Sequence, residues 1–328
     1  MLRTRFTEMF GLSYPVMAAP MTLHSGPTLA AAVSACGALG SFGGVNTSVD
    51  QDQLRSQIAA VRRTTDRPFA VGFLTHLLPT VEPLFETALA ERPAAIALSF
   101  GDPGPWVRRC QAEGIPVICQ VQHFDAADQA VAAGADVLVA QGNEAGGHTG
   151  TMGLLPLLTG VVGRHPDHPV LAAGGIGDGV SLAAALTAGA DGAWLGTRLL
   201  ATPEAVEVDE GYKRFIVDSD GTDTVFTRVY DILSPFVWPA GIGERVHANR
   251  FTDEWRDREE ELDRRKDELA LERAPLPSSP TEPAETREVL YGQSAQFVHD
   301  VRPAADVIRS ICDDAERHLR TRPPSLFG

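Results

Sequence analysis

The sequence predicts an α/β protein whose main body is a (β/α)8 barrel, or TIM barrel, with a small inserted and mostly helical cap. Two observations support this fold class. Up to about residue 202 the chain repeats one unit, in which a short apolar run precedes a glycine-containing loop and an alanine-rich helix. Eight such runs occur there, a number that favours a closed barrel of parallel strands over an open doubly wound sheet.

The eight runs lack the alternation of apolar and polar residues that a half-exposed strand shows, so they indicate strands buried on both faces. They lie at residues 15–19, 38–42, 69–73, 94–100, 116–121, 137–141, 169–173 and 192–196. The clearest repeat pairs AVAAGADVLVA, residues 130–140, with ALTAGADGAWLG, residues 185–196. In both copies we expect the glycine, Gly134 or Gly189, to end a helix in the left-handed conformation.

Composition changes after the eighth run and predicts the second structural unit. From residue 203 the chain mixes charges with aromatic residues and carries a proline cluster at positions 275, 277, 280 and 283. We therefore expect residues 1–203 and 289–328 to form the barrel and residues 204–288 to form the cap. Within the cap, residues 252–272 are highly charged and predict a solvated helix. Residues 304–319 are amphipathic and predict a helix that closes the barrel.

Length and composition exclude several classes of protein. The chain has 328 residues, of which 44% are hydrophobic and 22% are charged, as expected for a soluble globular protein. No apolar stretch is long enough to span a membrane, and residues 1–8 lack the apolar core of a secretion signal, so a cytoplasmic protein without a membrane partner is expected. The formal net charge of −15 argues against nucleic acid as a partner.

The reactive side chains exclude further chemistry. Four cysteines form no C-x-x-C pair, and no H-E-x-x-H motif occurs, so neither a disulfide framework nor a metal site is predicted. The first of only two lysines is Lys213, which leaves the barrel strands without an amine for Schiff-base chemistry.

Three loops that follow predicted strands have the composition of a binding site. The loop after the sixth strand, QGNEAGGHTG at residues 141–150, places His148 among glycines, where an imidazole can take up or release a proton close to a ligand. The loops after the seventh and eighth strands, AAGGIGDG at residues 172–179 and GTR at residues 196–198, offer backbone N–H groups at the position where barrels bind phosphate.

Taken together, ordered motifs along nearly the whole chain resemble the nitronate monooxygenase family, the FMN-dependent barrels once called 2-nitropropane dioxygenases. The motifs are PVMAAPM at residues 15–21, LSFGDP at 98–103, AQGNEAGGHTG at 140–150, GLLPL at 153–157, AAGGI at 172–176 and LGTR at 195–198.

The resemblance implies FMN as the cofactor and assigns site residues. His148 aligns with the catalytic histidine of the family. Ala19 and Met21 would line the flavin, and either Gln120 or Gln122 would approach its pyrimidine edge. The phosphate would be held by Gly174, Gly175, Gly196 and Thr197, and the remaining cofactor contacts would come from Gly72, Ala145 and Gly147. Gly72 stands where the family usually has an asparagine, so one flavin hydrogen bond is either lost or supplied by another group.

The implied reaction is oxidation of an alkyl nitronate, with O2 as co-substrate, to a carbonyl compound and nitrite. His148 would remove the α-proton of a neutral nitroalkane or bind the nitronate anion. Two alternatives stay open. The first is an FMN-dependent NAD(P)H reductase that acts on enoyl-acyl-carrier protein or on quinone, since the enoyl-acyl-carrier-protein reductases carry a similar Glu-small-Gly-Gly-His loop. The second is a flavin-binding protein without turnover. The oligomeric state also stays open, and a homodimer is one of the states compatible with the sequence.

Overall fold

The computed structural model describes residues 2–45, 50–270, 283, 285–322 and 324–326. Eight parallel strands form the barrel, and all eight were predicted from the sequence. They are β1 (Val16–Ala18), β2 (Gly40–Gly43), β3 (Phe69–Leu74), β4 (Ala95–Ser99), β5 (Val117–Val121), β6 (Val137–Gln141), β8 (Val170–Ala173) and β9 (Gly192–Leu195). Three further strands are β7 (Gly147–Thr149), β10 (Thr224–Thr227) and β11 (Gly243–His247).

Helices follow the strands in the order that a barrel requires. The barrel helices are α1 (Arg5–Phe10), α2 (Pro27–Ala35), α3 (Gln51–Thr64), α4 (Glu82–Glu91), α5 (Gly104–Ala112), α6 (Phe124–Ala133), α7 (Leu154–Arg164), α8 (Gly179–Thr187), α9 (Thr197–Leu200) and α15 (Ala304–Thr321). Between α9 and α15 lie α10 (Glu210–Asp218), α11 (Val229–Leu233), α12 (Arg250–Trp255), α13 (Glu259–Arg264) and α14 (Lys266–Ala270). Short 3-10 turns span Thr75–Thr80, Gln293–Phe297 and Pro324–Leu326.

The barrel is nearly closed. Its strands pair in the order β1-β9-β8-β6-β5-β4-β3-β2, and a parallel bridge between Met17 and Leu39 brings β1 next to β2. Alternating residues of the strands separate into two cores, so that Ala95 and Ala97 belong to the cluster inside the barrel while Ile96 and Leu98 pack under the helices. This is the (β/α)8 fold that the apolar runs predicted.

The two ends of the barrel differ in what covers them. At the amino end, α1 packs Phe6 against the interior cluster, and the Arg5 guanidinium binds the Asp191 carboxylate at 2.7 Å. The last helix, α15, packs along α8 and α2. Gly179 allows this contact, because a Cβ there would lie 2.8 Å from the backbone nitrogen of Ala315. The helix predicted over residues 304–319 therefore closes the barrel as expected.

The segment between α9 and α15 is more than a set of helices. Strands β10 and β11 pair antiparallel, and β11 pairs antiparallel with β7, which belongs to the loop after β6. A separate apolar cluster holds this unit together, formed by Val229, Tyr230, Val246, Phe251, Trp255 and Leu262. The sheet thus joins the cap to the glycine-rich loop of the barrel. The boundaries predicted for the cap, residues 204–288, stay a prediction.

The prediction of one solvated helix over residues 252–272 is wrong for the described part of that range. Three short helices, α12 to α14, replace it, and Trp255 and Leu262 are buried. Sequence reasoning failed because the few apolar side chains find partners on other cap elements. Residues 271 and 272 and the prolines at positions 275, 277 and 280 lie outside the described residues. No helix in the described ranges combines the length and the apolar character needed to cross a bilayer.

Candidate active site

The three loops singled out in the sequence lie side by side at the carboxyl rim of the barrel. Strand β6 pairs with β8 and β8 pairs with β9, so the segments after Gln141, Ala173 and Leu195 are neighbours. In a barrel of parallel strands this rim is where catalytic and binding groups collect.

Two glycines of the first loop are required by the local geometry. Gly146 lies against the backbone of Tyr291 and Gly292, where a Cβ would overlap main-chain atoms. Gly147 has φ = +69°, a left-handed conformation that favours glycine. The chain then turns into β7, which presents His148 to the cap.

His148 is held by groups from the cap. Its Nε2 lies 2.8 Å from Oδ1 of Asp231 on α11, and its ring stacks on the indole of Trp238 with centroids 3.4 Å apart and planes 13° apart. The side chain is 16% exposed and that of Asp231 is 10% exposed, so the pair is only partly open to solvent. The contact can orient the imidazole.

Across the sheet from His148 lies a buried acid. Glu244 on β11 is the direct partner of His148 in the β11–β7 register and is fully buried. Burial, followed by the negative charges of Glu288 and Asp231, raises the pKa of the Glu244 carboxyl well above its ordinary value. Burial thus favours the protonated form of Glu244, and Asp231 is the acid whose oxygen contacts the imidazole.

Phe100 and His76 complete the wall beside His148. Phe100 directly follows β4 and has φ = +62°, a conformation that costs a non-glycine residue about 1–3 kcal/mol and often marks a functional site. Its ring lies 5.3 Å from that of Trp238 and 6.5 Å from that of His148, centroid to centroid. Burial lowers the pKa of His76, whose ring is tilted against Trp238 at 4.9 Å. An aromatic wall therefore surrounds one side of the imidazole.

Both predicted glutamines belong to one hydrogen-bonded chain. Gln122 donates from Nε2 to Oε1 of Gln141 at 2.9 Å and to Oε1 of Gln120 at 3.3 Å. Gln141 in turn donates to the carbonyl oxygen of His148 at 3.0 Å. Gln122 is buried and Gln120 is half-buried, so Gln120 offers the more accessible amide. The chain fixes the backbone of the histidine from the barrel side.

A cavity of about 260 Å³ lies between the carboxyl ends of β4 and β5 and the cap loop at residues 239–242. Its walls combine apolar side chains with polar ones; they include Phe100, Pro239 and Ile242 beside Gln120, Asp102 and His123. A small molecule that carries both apolar and polar groups fits such a wall.

The structure also brings together the residues predicted to hold a phosphate. Gly174 and Gly175 have φ of +93° and +70° and directly follow β8. Beside them, α9 begins after Gly196 without a side-chain cap, whereas the Asp178 side chain caps the N-terminus of α8. Of these two neighbouring helices, α9 is the one whose N-terminus lacks a side-chain cap, and N–H groups there favour an anion.

Thr197 and Arg198 differ in their availability to an anion. The Thr197 hydroxyl accepts the N–H of Gly292 at 2.9 Å, and within the described ranges it donates to no protein acceptor, so its proton can point to an anion. The Arg198 guanidinium is buried and committed to Asp300 at 2.9 Å. Backbone N–H groups and one hydroxyl are thus the available donors, and they fit the phosphate of a flavin mononucleotide.

The remaining predicted flavin residues divide into two groups. Ala19 and Met21 converge on Gly196, where a Cβ would lie 3.7 Å from the Ala19 Cβ and 3.4 Å from the Met21 sulfur. Ala145 lies against Gly174 in the same way, with its nitrogen 2.9 Å from the Cβ position.

Gly72 is different, because its Cβ position is filled by the ring of Pro20. An asparagine at this position would have to displace that ring, which gives a physical reason for the glycine.

Sequence reasoning missed Asp231, Trp238 and Glu244. They lie in the cap, where no motif marks them, and Asp231 is 83 residues from its partner His148. GERVH at residues 243–247 does not alternate between apolar and polar residues, and only the pairing of this segment with β7 sets Glu244 opposite His148.

Comparison with known proteins assigns this geometry to a family. The family profile described as nitronate monooxygenase matches residues 3–112 and 84–314, which is nearly the whole chain. The chain belongs to the nitronate monooxygenase family. This membership confirms the resemblance read from the sequence and makes the chain an oxidoreductase of the flavoprotein type.

Relatives and solved structures of this nitronate monooxygenase family member agree with that assignment. The nitronate monooxygenase npaC of Metarhizium robertsii is 35% identical over 333 residues, covering 93% of this chain and 91% of the relative. FabK from Thermotoga maritima superposes with a TM-score of 0.87 at 30% identity, covering 99% of this chain and 100% of that one. A nitroalkane oxidase from Streptomyces ansochromogenes gives 0.77 at 26% identity, covering 97% and 99%.

Proposed function

We propose that the protein binds FMN and oxidises alkyl nitronates, and neutral nitroalkanes after deprotonation, to a carbonyl compound and nitrite with O2 as co-substrate. The observation that carries the proposal is the imidazole of His148, which Asp231 holds at the carboxyl rim. Phe100, whose ring lies 6.5 Å from this imidazole, lines the neighbouring cavity. The name of the Streptomyces neighbour, a nitroalkane oxidase, supports the same substrate class.

The hydrogen-bond donors at the predicted phosphate site favour FMN over a dinucleotide cofactor. Gly174, Gly175, Gly196 and Thr197 provide one compact anion site on adjacent strands, with an uncapped helix N-terminus beside it. The sequence offers no second glycine-rich pocket for an adenosine phosphate. Flavin released from the purified protein by heating is expected to be FMN on chromatography, and recovery of FAD would refute this part of the proposal.

The residues of the chain would bind the substrate and move one proton. A neutral nitroalkane is acidic at the carbon next to the nitro group, and a ring nitrogen of His148 within hydrogen-bond reach would take that proton. The Gln122–Gln141 chain fixes the backbone of His148 during this transfer, and the wall of Phe100 and Trp238 limits the access of water. Bound flavin supplies the electron acceptor that O2 reoxidises.

Anaerobic mixing with ethyl nitronate and, separately, with NADH tests the proposal. We expect ethyl nitronate to bleach the flavin absorbance and NADH to leave it unchanged over the same time. Bleaching by NADH alone would refute the proposed reaction and indicate a reductase. Failure of both reagents to bleach bound flavin would indicate a flavin-binding protein without turnover.

The reductase is the second candidate, and a specific observation favours it. FabK gives the higher TM-score of the two named structures and spans the whole chain. The Glu144-Ala145-Gly146-Gly147-His148 run also resembles the loop of the FMN-dependent enoyl-acyl-carrier-protein reductases. If NADH bleaches the flavin, reoxidation by a crotonyl thioester or by a quinone then distinguishes the two reductase types.

A further inference from the structure

The surroundings of the His148 ring differ between its two nitrogens. Nε2 is committed to Oδ1 of Asp231 at 2.8 Å, and Trp238 covers one ring face. Nδ1 has no hydrogen-bond partner in the part of the chain that the structure describes. The ring thus has one anchored nitrogen and one nitrogen available to a substrate.

We propose that Asp231 is a positioning residue that holds His148 in the tautomer protonated on Nε2, so that Nδ1 is the nitrogen that takes the α-proton of a nitroalkane. The inference rests on the proposed function and extends it to a residue outside the barrel motifs. An ionised carboxylate can only accept a hydrogen bond, so Nε2 must carry the hydrogen in this contact. A neutral imidazole then has its lone pair on Nδ1.

The charges around the ring are consistent with this assignment. Asp231 faces it from α11, Glu244 from β11 and His76 from the turn after β3, and Glu288 lies behind Glu244. Burial disfavours the charged form of Glu244, and Asp231 is the acid in hydrogen-bond contact with the imidazole. When Nδ1 accepts the substrate proton, the resulting imidazolium is stabilised by Asp231 through the existing contact.

The backbone of His148 is fixed independently of the Asp231 side chain. Gln141 donates to its carbonyl oxygen, and β11 pairs with β7 on the other edge. Loss of the Asp231 carboxylate should therefore change the tautomer and rotation of the ring while the strand stays in place. That separation allows a positioning role to be distinguished from a merely structural one.

The test compares Asp231→Asn with a matched control. Elsewhere in the fold, Nε2 of His165 lies 2.8 Å from Oδ1 of Asp128, the same contact remote from the carboxyl rim, so Asp128→Asn removes an equivalent pair. Both variants and the wild type are assayed, as flavin-loaded protein, with nitroethane and with preformed ethyl nitronate from pH 5 to 9. Flavin content and circular dichroism check that each variant is folded.

We expect Asp231→Asn to lose about 10- to 100-fold in kcat/KM for nitroethane, the scale of a charge-assisted hydrogen bond, with ethyl nitronate changed by less than about 3-fold. Asp128→Asn should match the wild type on both substrates. An Asp231→Asn variant with wild-type nitroethane kinetics would overturn the proposal.

A second measurement does not depend on turnover. Nitrogen-15 NMR of protein labelled in its nine histidine rings reports which ring nitrogen carries the proton, and the spectrum of His148→Asn identifies the signal. We expect the hydrogen on Nε2 in the resting protein. A hydrogen on Nδ1 would overturn the positioning role.

Failure of the proposed function has a different signature. If wild-type protein is inactive with nitroethane and ethyl nitronate, that function is wrong, and the NMR result alone decides whether Asp231 sets the tautomer. His148 Nε2, Asp231 and Glu244 also offer three ligand atoms within 4.8 Å of one another. Stoichiometric divalent metal in the wild type that disappears in Asp231→Asn would assign these groups to a cation and overturn the proposal.

Discussion

Replacing Gly175 by alanine should weaken FMN binding far more than it weakens the fold. Gly175 has φ = +70°, and an added Cβ would have Glu144 Cβ at 3.5 Å as its nearest neighbour, an ordinary contact. Gly11, at the end of α1 on the opposite side of the barrel, has φ = +65° and nothing within 4 Å of its Cβ position. The two glycines therefore share the same backbone strain, and only Gly175 lies at the proposed phosphate site.

The expected magnitudes follow from this match. A left-handed conformation costs a residue with a Cβ about 1–2 kcal/mol, so both alanine variants should lose that much stability. At Gly175 the Cβ additionally occupies the space through which backbone approaches phosphate. Losing one N–H contact to a charged oxygen costs about 1.5–3 kcal/mol, which raises Kd by about 10- to 150-fold. The bulkier Gly175→Val should abolish FMN retention.

The assay is fluorescence titration of FMN into deflavinated protein, with urea unfolding of the same samples to measure stability. Gly175→Ala should show the higher Kd and Gly11→Ala a wild-type Kd, at similar losses of unfolding free energy. Gly174→Ala should be less stable than either, since its Cβ would lie 2.9 Å from the Ala145 nitrogen. Equal Kd values for Gly175→Ala and Gly11→Ala would refute the placement of the phosphate.

Three further predictions concern titratable groups. In steady-state assays, His148→Asn should lower the rate of nitroethane oxidation by about 100-fold or more, the usual scale for a positioned base. The rate with preformed ethyl nitronate should fall much less. Equal activity of variant and wild type would show that the histidine takes no part in the mechanism. Glu244→Gln should gain unfolding free energy relative to the wild type as pH rises. The pKa of Glu244 is higher in the folded protein than its value of about 4.5 in the unfolded chain, so the contribution of the protonated acid to stability is complete below pH 4.5 and declines above it. Urea titrations should show a decline of at most about 1.4 kcal/mol per pH unit. A difference between variant and wild type that does not depend on pH would show that the acid is ionised in the fold. Burial raises the pKa of Cys110, Cys119 and Cys312 to about 12, so these thiols should resist Ellman's reagent at pH 8 until urea unfolds the protein, and fast native labelling of all three would contradict their burial.

Much of the barrel could be predicted from the sequence because its signals are local. A run such as residues 137–141, apolar at nearly every position, fits only a strand covered on both faces, and a glycine such as Gly134 ends the preceding helix. The glycine-rich loop containing His148 could be predicted in the same way, since a parallel barrel places every strand-end loop on one rim.

The environment of His148 was decided by the tertiary structure. Asp231, Trp238 and Glu244 become its neighbours only when β11 pairs with β7, a contact between segments about one hundred residues apart. The same holds for residues 252–270, whose high charge predicted solvation although Trp255 and Leu262 are buried against other cap elements.

The physical reason is the range of the interactions involved. Strand burial and glycine conformation depend on neighbours in the chain, so the sequence by itself determined the eight strands and the loop that carries the histidine. The ionisation of Glu244 and the orientation of the His148 ring depend on charges and contacts brought together from distant segments. Only the folded structure decides those.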